Sequence, residues 1–156
     1  EIWVRGPQVM KGYHNRPEAT AEMIDAEGWL HTGDVGYFDE DGYMYVIDRV
    51  KELIKYKGFQ VAPAEIEGVV QSHPAVADAA VIPSPDLEAG EVPKAFVVLK
   101  PDSAATAEEI IAHVAERVAP HKKVRKVEFI DVIPKVPSGK ILRRTLVERE
   151  RASQSD

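Results

Sequence analysis

At 156 residues, with 44% hydrophobic side chains and a formal net charge of −6, the chain has room for one ordinary domain or two small units around a real core. The lack of cysteine excludes a disulfide scaffold, a thiolate metal site and a cysteine nucleophile, and it makes the cytoplasm the expected compartment. No apolar run approaches the roughly 20 residues that cross a bilayer, and no basic-then-apolar leader opens the sequence.

Glu1 to Gly6 reads as a strand with no preceding turn, cap or initiator methionine, so the sequence is expected to be a fragment. Pro17 to Ile24 predicts a short helix with proline in its first turn, and Trp29-Leu30-His31 is strand-like. Asp41-Gly42 predicts a hairpin turn whose second strand is Tyr43 to Ile47, which makes the first 50 residues β-rich. After Lys51 the pattern mixes helix and strand. If the lysine-rich run is one extended strand, alternation puts Lys51, Lys55 and Lys57 on one face, and Gly58 then lets a ligand approach the backbone.

Pro63 opens a helix whose Ile66, Val69, Val70 and His73 fall on one inward face, and it stops before Pro74. Val76 to Ile82 and Val92 to Leu99 predict strands separated by a Pro/Asp/Gly loop. Thr106 and Glu109 form a capping-box signature for a helix carrying Ile110, Ile111, Val114 and Val118, which Pro120 ends. Val124 to Val132 predicts a third strand, followed by a loop over Pro134 to Lys140, a basic helix from about Leu142 and a frayed Ser/Gln/Asp tail. Helices covering a face of one sheet suggest a small α+β domain from residue 52 to about 150.

Charge is unevenly distributed. Residues 1–50 carry 4 basic and 10 acidic residues, whereas residues 51–156 carry 16 of each, and residues 117–151 hold 11 basic against 4 acidic. Such a basic stretch attracts phosphate-bearing ligands or is simply a solvated helix face. Its His121 to Lys126 segment lacks interleaved aromatics, so nucleic-acid binding is not expected. The five histidines show no metal-ligand spacing, and no metal site is expected within the chain.

Asp34, after Thr32-Gly33, is either a turn former or a carboxylate able to accept two hydrogen bonds from adjacent ribose hydroxyls. Arg49 invites a surface ion pair with Asp48, and Lys51 by itself is an exposed lysine. Lys140 follows Pro137-Ser138-Gly139 and is not a phosphate-loop lysine, because that motif needs glycine where Pro134 stands. It is either an idle surface group or an ammonium that a loop delivers to a centre of developing oxyanion charge.

The unit from Lys55 through Gly58, Phe59, Gln60 and Pro63 to Glu67, with Thr32-Gly33-Asp34 upstream and Pro137-Ser138-Gly139-Lys140 downstream, resembles the acyl-adenylate-forming (AMP-binding) enzymes. The likeness is closest to the branch holding 4-coumarate:CoA ligases, fatty acyl-CoA ligases and beetle luciferases, and it covers essentially the whole chain. It implies that residues 51–156 are a mobile C-terminal α+β domain with a mainly antiparallel sheet and a hinge at Lys51. Residues 1–50 are then the incomplete end of a larger, β-rich N-terminal adenylating region.

By the same resemblance, Asp34 holds the ATP ribose and Arg49 reaches the nucleotide. Lys51, Lys55 and Gln60 lie against the acyl-adenylate, Lys57 and Gly58 contact CoA, and Lys140 touches the α-phosphate and the attacking carboxylate. The implied substrates are ATP with Mg²⁺, CoA and a carboxylic acid, aryl such as 4-coumarate or fatty. The Mg²⁺ ligand is expected in the absent N-terminal region, which is also the implied partner, so the fragment alone is expected to be inactive. A luciferase-type or peptide-synthetase adenylation module, and a stand-alone binding domain without chemistry, remain alternatives. The ending Gln154-Ser155-Asp156 lacks a Ser-Lys-Leu peroxisomal address.

Overall fold

The computed structural model describes residues 1–153; Gln154-Ser155-Asp156, with the expectations of a frayed tail and of no peroxisomal address, lie outside the described residues. The chain divides into two compact units, Glu1–Lys51 and a second that begins at Glu52. Among the described residues no helix is long and apolar enough to cross a membrane.

In the first unit β1 (Trp3–Val4) pairs antiparallel with β2 (Leu30–His31), and α1 (Pro17–Met23) lies between them in sequence. The α1 helix starts on proline, whose missing N–H would be unpaired there anyway. A hairpin follows, built from β3 (Asp34–Phe38) and β4 (Met44–Arg49). Its turn is held by Asp39, whose Oδ1 accepts the backbone N–H groups of Asp41 and Tyr43 at 3.1 and 2.8 Å. The second strand runs on past Ile47, because Asp48 and Arg49 pair with Val35 and Asp34.

The second unit contains β5 (Ile54–Tyr56), β6 (Phe59–Val61), α2 (Pro63–Gln71), β7 (Val76–Asp86), β8 (Gly90–Leu99), α3 (Ala107–Ala115), β9 (Lys126–Phe129) and α4 (Arg143–Ser153). The sheet order is β6-β5-β8-β7, all antiparallel, and β9 joins β8 in parallel. The fold is therefore α+β, as the sequence pattern leads one to expect, with the mainly antiparallel sheet that the resemblance implies. The β7 and β8 strands are longer than expected and absorb the proline-containing loop. Pro83 and Pro85 fit because β7 ends the sheet path, where an absent N–H removes no ladder bond on the open side. Conversely, β9 is shorter than the Val124–Val132 stretch: Val124 is buried before the strand begins, and Val132 is exposed beyond it.

Helices cover both faces of the sheet rather than one. Ala79, Val81, Ala95 and Val97 pack with Ile54, Val61, Ile66, Val70, Ile110 and Val114 on one side. Ala80, Ile82 and Phe96 pack with Ile133 and Leu146 on the other. Successive strand residues point to opposite faces, so the unbroken apolar runs Ala79–Ile82 and Ala95–Leu99 are what a sheet buried on both sides requires. The α4 helix is also docked by charge. Buried Lys94 is ion-paired with Glu150 and, at 2.7 Å, with Glu128, and Ser84 Oγ donates to Glu150 at 2.6 Å. Burial opposes the charge on Lys94, but the hydrogen bonds and charges of Glu128 and Glu150 outweigh it and raise its pKa.

The capping box at α3 is present as expected: Glu109 N–H donates to Thr106 Oγ1 at 3.2 Å, and Thr106 N–H donates to Glu109 Oε2 at 2.8 Å. The helix ends at Ala115, short of Val118. Near its end His113 lies 2.9 Å from Ser72 Oγ and meets the His73 ring edge-on at 5.0 Å. Burial, then the charges of Arg117 and His73, push His113 below its ordinary value. The unfolded chain therefore binds more protons just below that ordinary value of 6.5, and the stability due to His113 is lost as pH falls through it. His113→Gln should flatten the pH dependence of the urea midpoint just below pH 6.5. An unchanged slope would reject this account.

Candidate functional site

Asp34 and Arg49 are register partners across β3 and β4, and Arg49 Nε lies 3.2 Å from Asp34 Oδ1. The pairing of Arg49 with Asp48 does not form. Instead the buried Asp48 accepts the backbone N–H of Arg49 at 2.8 Å, and alternation along the strand sends the two side chains to opposite faces. Thr32 Oγ1 accepts the Asp34 N–H at 3.1 Å and donates to the Ile2 carbonyl at 2.8 Å, while Gly33 takes a left-handed φ of 71°. A carboxylate and a guanidinium thus stand side by side at the start of a strand. One suits hydroxyl donors and the other suits a phosphate.

Lys51, Lys55 and Lys57 do not share a face. Lys51 is in a 3-10 turn (Val50–Glu52), and only Lys55 lies on a strand. Lys57 and Gly58 form the two-residue turn between β5 and β6, with φ values of 45° and 85°, as a type I′ hairpin requires. That turn brings Lys55 and Gln60 directly opposite each other, both exposed and on the same face. Glu91 Oε2 accepts the Lys55 backbone N–H at 2.7 Å, and Lys57 is ion-paired with Glu88, whose hydrogen bond and charge raise the lysine's pKa.

The basic segment around residues 120–126 gains through space the aromatics that it lacks in sequence. Phe59, 54% exposed, stacks on His121 at 4.6 Å, and the Arg125 guanidinium lies 5.3 Å from the centre of the Tyr56 ring. His121 and Arg125 therefore belong beside the β5–β6 hairpin, a placement that no local spacing could reveal.

Lys140 stands on a separate, exposed loop. Val136 N–H donates to the Lys140 carbonyl at 2.9 Å, Gly139 N–H donates to the Val136 carbonyl at 2.8 Å, and Lys135 bridges to Ile141. The loop is a small closed ring of backbone with an ammonium at its rim, and α4 begins three residues later. Arg143, which the sequence pattern marks only as part of a basic helix, is instead mostly buried, with 14% of its side chain exposed. Among the described residues no cluster of three or more His, Asp or Glu side chains is placed to hold a metal ion.

Gly58→Ala should cost about 1–2 kcal/mol, the penalty of a left-handed conformation for a residue with Cβ. An added Cβ meets nothing within 4 Å, so the loss is confined to the backbone. Gly58→Asn should recover part of it in chemical denaturation, because asparagine tolerates this conformation. Equal losses for both variants would point to a steric cause instead.

Residues 65–140 match the family model of the AMP-binding enzyme C-terminal domain. The 4-coumarate--CoA ligase-like 6 protein of Oryza sativa subsp. japonica is 60% identical over 155 residues, which are 99% of this chain and 26% of that protein. Peroxisomal OPC-8:0-CoA ligase 1 of Arabidopsis thaliana is 55% identical over 148 residues, 95% of this chain and 27% of the relative. The o-succinylbenzoate CoA synthetase of Bacillus subtilis, solved with its acyl-adenylate intermediate, superimposes with a TM-score of 0.82 at 43% identity, covering 94% of this chain and 30% of that one. The chain thus spans about a quarter of the length of the curated relatives it matches. It belongs to the acyl-adenylate-forming enzymes, and its residues 65–140 are the C-terminal domain of an AMP-binding enzyme.

Proposed function

We propose that this chain is the C-terminal working part of an ATP-dependent carboxylic acid:CoA ligase, with residues 51–156 as a mobile domain turning about Lys51. The observation that carries this reading is the presence, in one compact unit, of two separate exposed cationic sites, the Lys55–Gln60 pair and the Lys140 loop. The identity to CoA ligases over nearly the whole chain supports it.

In the first half-reaction a carboxylate oxygen bonds to the α-phosphorus of ATP as the bond to pyrophosphate breaks. Negative charge gathers on the α-phosphate oxygens, where the Lys140 ammonium would stabilise it as a point charge. Asp34 would accept hydrogen bonds from the ribose hydroxyls, and Arg49, already beside it, would reach the nucleotide. In the second half-reaction the CoA thiolate bonds to the acyl carbon and AMP leaves. Lys55 and Gln60 would then face the acyl-adenylate, joined by Lys51.

Gly58 offers backbone without a side chain to the pantetheine arm, and Lys57 would exchange Glu88 for an anionic group of CoA. The Phe59 ring stacked on His121, with Arg125 on the neighbouring Tyr56 ring, suits the nucleotide end of CoA, which combines a flat base with phosphates. Mg²⁺ would arrive with ATP and be held by the larger N-terminal region. The acid is proposed to be aryl, such as 4-coumarate, or fatty. We place the enzyme in the cytoplasm on the cysteine-free composition of this chain; because one relative is named as peroxisomal, organelle fractionation is the check.

In the full-length enzyme, Lys140→Ala should lower pyrophosphate release by about 10²–10³-fold, the usual effect of removing one donor to a developing oxyanion. CoA attack on supplied acyl-adenylate should persist. Equal loss of both steps would overturn the assignment, and absence of CoA-dependent AMP release would favour a different acceptor or a non-catalytic domain.

Lys51→Pro tests the pivot. Proline fixes φ near −65° and restricts Val50 as well, so one half-reaction should survive and the other fail. Normal turnover of both would move the pivot elsewhere.

A further inference from the structure

A helix N-terminus disfavours cations, yet α4 begins with Arg143 and Arg144. Arg144 resolves this by pointing to solvent, 91% exposed, and pairing with Glu148 one turn on. Arg143 does the opposite. Its Nη1 lies 2.5 Å from Glu52 Oε2, and its Nη2 spans both oxygens of Glu67 at 2.9 and 2.7 Å. Glu67 Oε1 in turn accepts the Val81 N–H at 2.8 Å, in the middle of β7. One guanidinium therefore ties together the residue that follows Lys51, the α2 helix, the central sheet and the start of α4.

Stability alone does not explain this arrangement, since an apolar residue of similar volume often serves a buried position as well as an ion pair does. The planar fork supplies fixed geometry. Lys140 is three residues from Arg143, and its loop is closed on itself by the Val136–Lys140 and Gly139–Val136 bonds and by Leu142 N–H to the Pro134 carbonyl at 2.8 Å. Only Ile141 and Leu142 separate Lys140 from the arginine. We propose that Arg143 is a positioning residue: by clamping Glu52 and Glu67 it holds the Lys140 loop in fixed register with Glu52, the residue next to Lys51, so that movement at the pivot carries the lysine without slack. The clamp rests on the proposed function for its purpose but not for its geometry.

Two measurements separate these. Hydrogen exchange on this chain reads the clamp directly. In Arg143→Met the amides of Val136 and Gly139 should exchange faster, while those of Lys94 to Val98, paired to the neighbouring strands, stay protected. Unchanged loop exchange would overturn the proposal whatever the protein catalyses.

In the full-length enzyme, Arg143→Met should reduce kcat for pyrophosphate release by about 10²-fold, the effect of misplacing a group by about 1 Å. KM for ATP and the rate of CoA attack on supplied acyl-adenylate should hold within about twofold. Arg143→Lys should restore little of the rate, because one ammonium cannot span Glu52 and both Glu67 oxygens. Arg144→Met should behave as wild type. Equal loss in both half-reactions would make Arg143 a merely structural residue and overturn the proposal. A wild-type enzyme that adenylates no acid, combined with faster loop exchange in Arg143→Met, would leave the clamp standing and sink the ligase reading.

Discussion

The β7–β8 ladder is the constraint on which the second unit rests. It runs from Val76 opposite Leu99 to Asp86 opposite Gly90; β5 and β9 pair to it, β6 joins through β5, and α2 and α4 pack on it. Because helices occupy both sides, its register is specified twice. A slip by one residue would exchange Ala79, Val81 and Val97 with Ala80, Ile82 and Phe96 and misfit both cores at once. Small alanines at positions 79, 80 and 95 leave room for the larger side chains of α2, α3 and α4.

Polar groups then decide which helix goes where. Glu67 is buried in α2 and accepts the Val81 amide, so that helix has one rotational setting on the sheet. Lys94 performs the same task for α4, projecting from β8 to Glu150. Buried pairs of this kind add little net stability, but a misdocked helix would leave their charges unpaired. The unit is in this way apolar in its energetics and ionic in its addressing.

Local chemistry made much of this legible. The capping box at Thr106, the helix-opening prolines Pro17 and Pro63, and the Asp41-Gly42 turn each act within a few residues, and each appears where the sequence put it. Legibility stops where partners are distant or conformations are atypical. Lys57 gives no hint of a left-handed φ, since Lys-Gly is not the Asn-Gly or Asp-Gly signal of a type I′ turn, so three lysines looked like one strand face. Arg143 and Glu67 lie 76 residues apart, and nothing local distinguishes Arg143 from its solvated neighbour Arg144. For the candidate site, the motif marked Asp34, Arg49, Lys55, Gln60 and Lys140 individually. Only the register of two hairpins brought Asp34 to Arg49 and Lys55 to Gln60.

The two-sided sheet also sets an order of events when the chain emerges from a ribosome. Everything that closes the α2 and α3 face, from Ile54 to Val124, is available before Leu146 has been made. The opposite face, with Ile82 and Phe96, is covered only by Ile133 and its neighbours until α4 arrives, so an unfinished chain carries a partly open apolar surface accessible to chaperones or to other nascent chains. The loop bearing Lys140 is made between those stages. A lesion that delays α4 would therefore be felt first as poor yield and aggregation.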